Sequence, residues 1–197
     1  AANTTGNDNT GFGAQTLDSN TTGGNNVGVG NSALTTNTTG NNNVAIGFEA
    51  LAANIASNNT AVGKHALVAN TTGAGNVAVG GFALDANTTA NYNTALGYQS
   101  LSANTTGANN TACGMNALTT NTGGDDNVAV GYQALYVNTT GGYNVAMGRN
   151  ALVANTTADS NLAIGYASLQ ANTIGNNNIA VGREAMYTNV AADRNVA

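Results

Sequence analysis

Asparagine recurs along this chain at Asn3, Asn20, Asn37, Asn54, Asn70, Asn87, Asn104, Asn121, Asn138, Asn155, Asn172 and Asn189. Every step is 17 residues except the 16 between Asn54 and Asn70. A repeat this short cannot bury an apolar face by itself, so its copies must stack on one another. Asn37 to Ala53, reading NTTGNNNVAIGFEALAA, serves as the unit, numbered 1 to 17. Position 1 is Asn in all twelve copies, and so is position 7. Position 11 is Gly in all eleven copies that reach it, and position 15 is Leu in ten and Met186 in the eleventh. The short fourth copy is expected to drop its residue between Ser57 and Asn59, in a turn.

Positions 8 to 11 read as Val44-Ala45-Ile46-Gly47 does, β-branched residues alternating with small ones, which is a β run. Positions 14 and 15 read Ala-Leu, a second and shorter extended piece, with Gly and polar turn residues between. Gly breaks every unit and no 3.6-residue period appears, so helices are excluded. The expected fold is all-β: a parallel β-solenoid of about twelve 17-residue coils, two short strands per coil. Residues 1–197 then form a single repeat array. The absence of Pro agrees, since Pro would delete a ladder donor from each coil it entered. At about 4.8 Å per coil the rod is roughly 55 Å long. A fragment of a longer solenoid is expected, because the chain starts inside a turn at Ala1-Ala2-Asn3, stops mid-strand at Asn195-Val196-Ala197 and shows no polar cap.

Position 9 is Ala in ten copies and Gly in two, so with Gly at 11 this side of the strand meets something too close for a larger group. Position 10 (Phe12, Val29, Ile46 and onward) is never polar and is expected to be buried, making the strand buried on both faces. One coil holds few large apolar side chains against 17 residues to order. A second buried surface shared with neighbouring chains is therefore expected, most simply in a homotrimer around the position 8/10 stripe.

Composition removes other classes. With 4 Lys+Arg against 9 Asp+Glu the chain cannot neutralise a run of phosphates, so no nucleic-acid partner is expected. The single Cys113 excludes a disulfide scaffold, and the single His65 leaves no Cys/His metal set and no Ser-His-Asp arrangement. No cofactor and no enzymatic activity are expected. No apolar stretch of about 18 residues suits membrane insertion. Asn, Thr and Gly number 36, 28 and 26, yet 42% apolar content with little net charge argues against disorder.

The segments Asn42-Asn43-Val44-Ala45-Ile46-Gly47, Asp126-Asn127-Val128-Ala129-Val130-Gly131 and Asn177-Asn178-Ile179-Ala180-Val181-Gly182 resemble the head repeat of YadA-like trimeric autotransporter adhesins, Asn-Ser-Val-Ala-Ile-Gly. Similar short repeats occur in bacteriophage tail fibres. Nearly the whole chain is covered, by about six positions in each copy. The resemblance implies a left-handed parallel β-roll, three chains around one axis, and display outside the cell. The unit here is longer than in those heads, and Asn replaces the family's Ser at position 7 in every copy.

Asn3, Asn20, Asn37, Asn70, Asn87, Asn104, Asn138 and Asn155 begin Asn-x-Thr sequons, possible N-glycan acceptors, and two more begin at Asn58 and Asn109. The alternative is an Asn ladder, each amide bonding its equivalent one coil away. Asn54, Asn121, Asn172 and Asn189 keep the Asn without the Thr, and coils about 4.8 Å apart would crowd sugars, which favours the ladder. The position 7 residues, Asn9, Asn26, Asn43, Asn59, Asn76, Asn93, Asn110, Asn127, Asn144, Asn161, Asn178 and Asn195, read as structural, opening each strand where Asn tolerates a left-handed backbone.

The Thr file at position 2 (Thr4, Thr21, Thr38, Thr71, Thr88, Thr105) has an ice-binding reading, weakened by Ile55 and Val190. Asp125-Asp126 read as an exposed turn pair, Lys64-His65 as outward residues with no carboxylate nearby in sequence, and Cys113 as a small core residue. Tyr98, Tyr132, Tyr136, Tyr166 and Tyr187 fall at outward positions and suit a receptor- or glycan-binding fibre module. The first expectation is a structural repeat segment of an extracellular fibre, adhesin or virion appendage, self-associating as a homotrimer or filament, with a surface glycan or host receptor as a further partner.

Overall fold

In the computed structural model, which describes residues 3–197, eleven three-residue strands form one parallel sheet in sequential order. They are β1 (Thr10–Phe12), β2 (Val27–Val29), β3 (Val44–Ile46), β4 (Thr60–Val62), β5 (Val77–Val79), β6 (Thr94–Leu96), β7 (Thr111–Cys113), β8 (Val128–Val130), β9 (Val145–Met147), β10 (Leu162–Ile164) and β11 (Ile179–Val181). Neighbours in this order pair position for position, so each inner strand meets the one a coil before and the one a coil after, and a bridge from Ile179 to Val196 begins the next coil. This is the parallel β-solenoid. Ala1 and Ala2, part of the expected starting turn, lie outside the described residues.

The expectation of two strands per coil is corrected to one. Positions 13 and 15 both adopt positive φ, as in Glu49 (54°) and Leu51 (51°), so the Ala-Leu segment curls where a strand would extend. The inter-coil ladder nevertheless continues through it. The His65 N–H donates to the Phe48 carbonyl of the coil before (2.9 Å), and the Leu67 N–H to the Ala83 carbonyl of the coil after (3.0 Å). A left-handed backbone costs a non-glycine residue about 1–2 kcal/mol, and burying a Leu side chain returns about 1.5–3 kcal/mol. The Leu file from Leu34 to Leu169 is fully buried, which offsets much of the strain of the two left-handed residues in each coil.

The interior is thin and half polar. It consists mainly of Ala at position 9, Ala or (at Ser100 and Ser168) Ser at 14, Leu at 15, and the two Asn files at 1 and 7. Gly at position 11 is required twice over. Gly97 has φ of 141°, and a Cβ there would stand 2.5 Å from the Gly114 carbonyl oxygen of the next coil. A side chain at this corner would meet the backbone of the next coil at a backbone angle that L-residues rarely adopt.

The short coil is also corrected. Asn54 Nδ2 donates to Ala56 O (2.9 Å) as Asn37 Nδ2 does to Gly40 O, and Ser57 Oγ accepts from the Asn41 N–H (2.9 Å) as Asn41 Oδ1 does from Gly24. Ala56 and Ser57 thus stand at positions 4 and 5, and the missing residue is position 3, between Ile55 and Ala56. The Asn59 and Asn54 contacts to neighbouring coils persist, because the gap avoids both Asn files.

Candidate interaction surface

Two hydrogen-bonded files run the length of the rod. At position 1 each Asn Nδ2 donates to the Asn Oδ1 of the coil before, in an unbroken series from Asn3 to Asn172. The same Nδ2 donates to the position 4 carbonyl of its own coil, as Asn104 does to Gly107 (2.9 Å). At position 7 the Oδ1 accepts the backbone N–H of the next position 7, and the Nδ2 donates to the next position 4 carbonyl. Asn93, for example, accepts from the Asn110 N–H (2.9 Å) and donates to Gly107 O (2.9 Å). Each such carbonyl receives two donors, filling both lone pairs. The left-handed residue is position 6, as in Asn42 (φ 58°), not position 7, whose side chain turns inward.

The sequon asparagines divide by burial. Asn20, Asn37, Asn70, Asn87, Asn104, Asn138 and Asn155 are buried with the amide nitrogen already donating, a geometry that leaves no room for a glycan on the folded coil. Asn3, Asn58 and Asn109 are exposed. In the position 2 Thr file, Oγ1 of Thr71, Thr105 and Thr139 donates to the carbonyl one coil on, so these hydroxyls serve the stack.

The side of the sheet opposite the interior is an apolar stripe. Along β7 the burial alternates: Asn110 and Ala112 are buried, while Thr111 and Cys113 are partly exposed. Positions 8 and 10 thus face outward together. The expectation that position 10 is buried is corrected within the single chain, where Ile46, Val79 and Leu96 are each 39% exposed and Met147 is 42% exposed. Cys113, expected in the core, lies on this outer file as a free thiol. The interior admits only Ala at position 9, so the larger residue one step along must point away from it.

At the stripe's edge, position 12 carries Phe48, Lys64, Tyr98, Met115, Tyr132, Arg149, Tyr166 and Arg183. Rings and cations stack along the rod: Lys64 lies 5.5 Å from the Phe82 ring centre, Arg149 5.4 Å from Tyr132, and Arg183 5.5 Å from Tyr166. Tyr98, Tyr132, Tyr166 and Tyr187 are exposed, and Tyr136 is half-buried. Tyr92 and Tyr143, at position 6 across the stripe, are more exposed still and were overlooked in the linear reading. Writing the sequence in register would have found them.

The same register explains a missed side-chain contact. His65 Nε2 lies 3.2 Å from Glu49 Oε2, because both occupy position 13 of consecutive coils. Rings from four successive coils, Phe48, His65, Phe82 and Tyr98, stack in a row through this pair. Asp85 stands half-buried nearby. Burial pushes its carboxyl above the usual Asp value, with backbone hydrogen bonds and His65 opposing. The Asp125 and Asp126 pair is exposed as expected, with Asp125 Oδ1 accepting from the Ala108 N–H (2.7 Å).

Among the described residues no group of His, Cys, Asp and Glu is placed to hold a metal ion, and no helix is long and apolar enough to cross a membrane. The arrangement offers a long apolar sheet face bordered by aromatic and charged files, a surface suited to another extended surface. In comparisons with protein-family models, curated proteins and solved structures, nothing matches this chain.

Proposed function

We propose that this chain is a structural repeat segment of an extracellular fibre or adhesin, in which several copies associate along their apolar stripes to form a rod. The observation that carries the reading is the outward 8/10 stripe. Monomeric soluble proteins rarely leave so continuous an apolar face in water. Here it spans eleven strands, roughly 50 Å of sheet. Position 8 is apolar in seven of the eleven strands and Thr in four, and position 10 is apolar throughout, which gives a largely apolar seam. Such a seam suits contact with another rigid sheet. A homotrimer, each copy turning its stripe to a common axis, covers three such faces at once, in keeping with the adhesin-head resemblance. The function is then mechanical: coil number sets length, and the turns at positions 2 and 3 face the surroundings.

Multi-angle light scattering on the purified chain tests this, alongside a variant carrying Ile46→Lys and Leu96→Lys in the outer file. The expected result is an oligomer for the parent chain and a folded monomer for the variant. A parent chain that stays monomeric at tens of micromolar would sink the proposal.

A further inference from the structure

Across the rod, side chains at positions 6, 8, 10 and 12 face outward in that order, with 7 and 9 turned in, as Asn109, Thr111, Cys113 and Met115 illustrate. The stripe therefore has two unlike borders. Three of the chain's four cations, Lys64, Arg149 and Arg183, occupy position 12. Five of the nine acids, Asp8, Asp125, Asp126, Asp159 and Asp193, occupy positions 5 and 6 on the other border. All of these except Lys64 and Asp8 lie in the last five coils, and all are exposed. Their levels interleave. Arg149 stands one coil above Asp125 and one below Asp159, while Arg183 stands one above Asp159 and one below Asp193.

We infer that neighbouring copies of this chain pack parallel and in register, with the Arg149/Arg183 border of one copy lying along the Asp125/Asp159/Asp193 border of the next. This rests on the stripe-to-stripe association proposed above and adds its orientation and its polar contacts. When rods related by an axis parallel to their length turn their stripes inward, the position 12 border of each meets the position 5/6 border of its neighbour. Each Arg then lies within about one coil rise, roughly 5 Å, of two Asp levels. Turning one rod end over end instead brings cation file against cation file and acid file against acid file, which like-charge repulsion disfavours.

Groups of the opposite sign on each border temper the attraction without reversing it. Glu184 lies 3.5 Å from Arg183 on the cationic side, and Arg194 follows Asp193 on the acidic side. The position 5 carboxylates are already oriented, because Asp125, Asp159 and Asp193 each accept a backbone N–H from the preceding coil through Oδ1. Asn takes the same role at Asn41, Asn91 and Asn176, so Asp there is not needed for folding.

The test compares the full chain with R149Q/R183Q and with D125N/D159N/D193N, measuring association by sedimentation at low and high sodium chloride. Each variant is expected to associate about tenfold more weakly at low salt, with a flatter salt dependence than the parent. In parallel, diamide treatment of the parent is expected to give a Cys113–Cys113 disulfide dimer, because in-register rods bring the two thiols to one level. An oligomer that ignores both variants, or that yields no Cys113 cross-link, overturns the flank contact while leaving the stripe association standing. A chain monomeric at every salt concentration overturns both.

Discussion

Removing one asparagine from the position 1 file tests whether the ladder holds the coils together. Asn104 is fully buried at mid-rod. Its Nδ2 donates to Asn87 Oδ1 (3.0 Å) and Gly107 O (2.9 Å), and its Oδ1 accepts from Asn121 Nδ2 (3.0 Å). In Asn104→Ala the Asn87 Oδ1 loses its donor altogether. Gly107 O keeps its second donor, Asn93 Nδ2, and Asn121 Nδ2 keeps Gly124 O. One fully unpaired buried acceptor costs about 1–3 kcal/mol, and two half-satisfied groups add about 1 kcal/mol more, giving about 3 kcal/mol in all. A solenoid yields locally, since each coil contacts only its neighbours, so a global melting curve would dilute the effect. Hydrogen exchange reads it directly. Amide protons of β6 and β7 are expected to exchange roughly 100-fold faster, while those of β2 and β3 keep their parent rates.

Asn104→Asp separates shape from chemistry. The replacement oxygen would face two acceptors, Asn87 Oδ1 and Gly107 O, in a buried site. Both desolvation and the loss of hydrogen bonds to the charged form raise a carboxyl's pKa. A carboxyl whose folded pKa lies above its unfolded value of about 3.9 contributes stability below that value and loses it as pH rises through the folded pKa. Asn104→Asp should therefore be near the parent at pH 4, where its O–H can donate. At pH 7 it should be at least as damaged as Asn104→Ala. Exchange rates in β6 and β7 that do not change between those pH values, relative to the parent, would refute the donor role assigned to Asn104 Nδ2.

Gly97→Ala places a Cβ against the Gly114 carbonyl at a backbone angle that L-residues avoid, so a local loss of about 3 kcal/mol or more is expected, read as faster hydrogen exchange in β6 and β7. Asp85→Ser substitutes a residue already present at the equivalent Ser102. Because burial raises the Asp85 pKa, its ionised form costs stability, so amides of its coil should exchange more slowly in the variant than in the parent at pH 7, with the gain vanishing as pH falls below 3.8. Intact mass of chain secreted from a glycosylating host should show no hexose increments at the buried sequons, and any that appear should map to Asn3, Asn58 or Asn109.

What could be read in the linear chain, and what could not, follows from where the forces act. The period of Asn and Gly exposed the solenoid, because ladder and corner contacts impose the same residue on every coil. Gly97 must be Gly for the reason that Gly80 and Gly114 must. The second strand was misread because Ala-Leu pairs carry β-compatible chemistry, while the left-handed turn at Leu101 is set by the interior that swallows its side chain. Position 10 was misread for the converse reason. Ile46 and Leu96 are apolar, and apolarity alone does not say whether a residue is buried by its own chain or awaits another. The Ala at position 9 decides it: an interior thin enough to admit only Ala on one side of the strand forces the large neighbour outward. Pairs such as Glu49 with His65 were invisible for a further reason, since their proximity comes from stacking 16 residues apart and not from local sequence. In a rod of this kind every file is a row of residues about 4.8 Å apart. A single substitution therefore alters a contact with the coils above and below, whereas a change of surface function requires rewriting a file. The unlike borders of the stripe are such files. Their charges are few in number yet gathered at fixed repeat positions, and that placement gives a chain with little net charge a preferred side and a preferred direction.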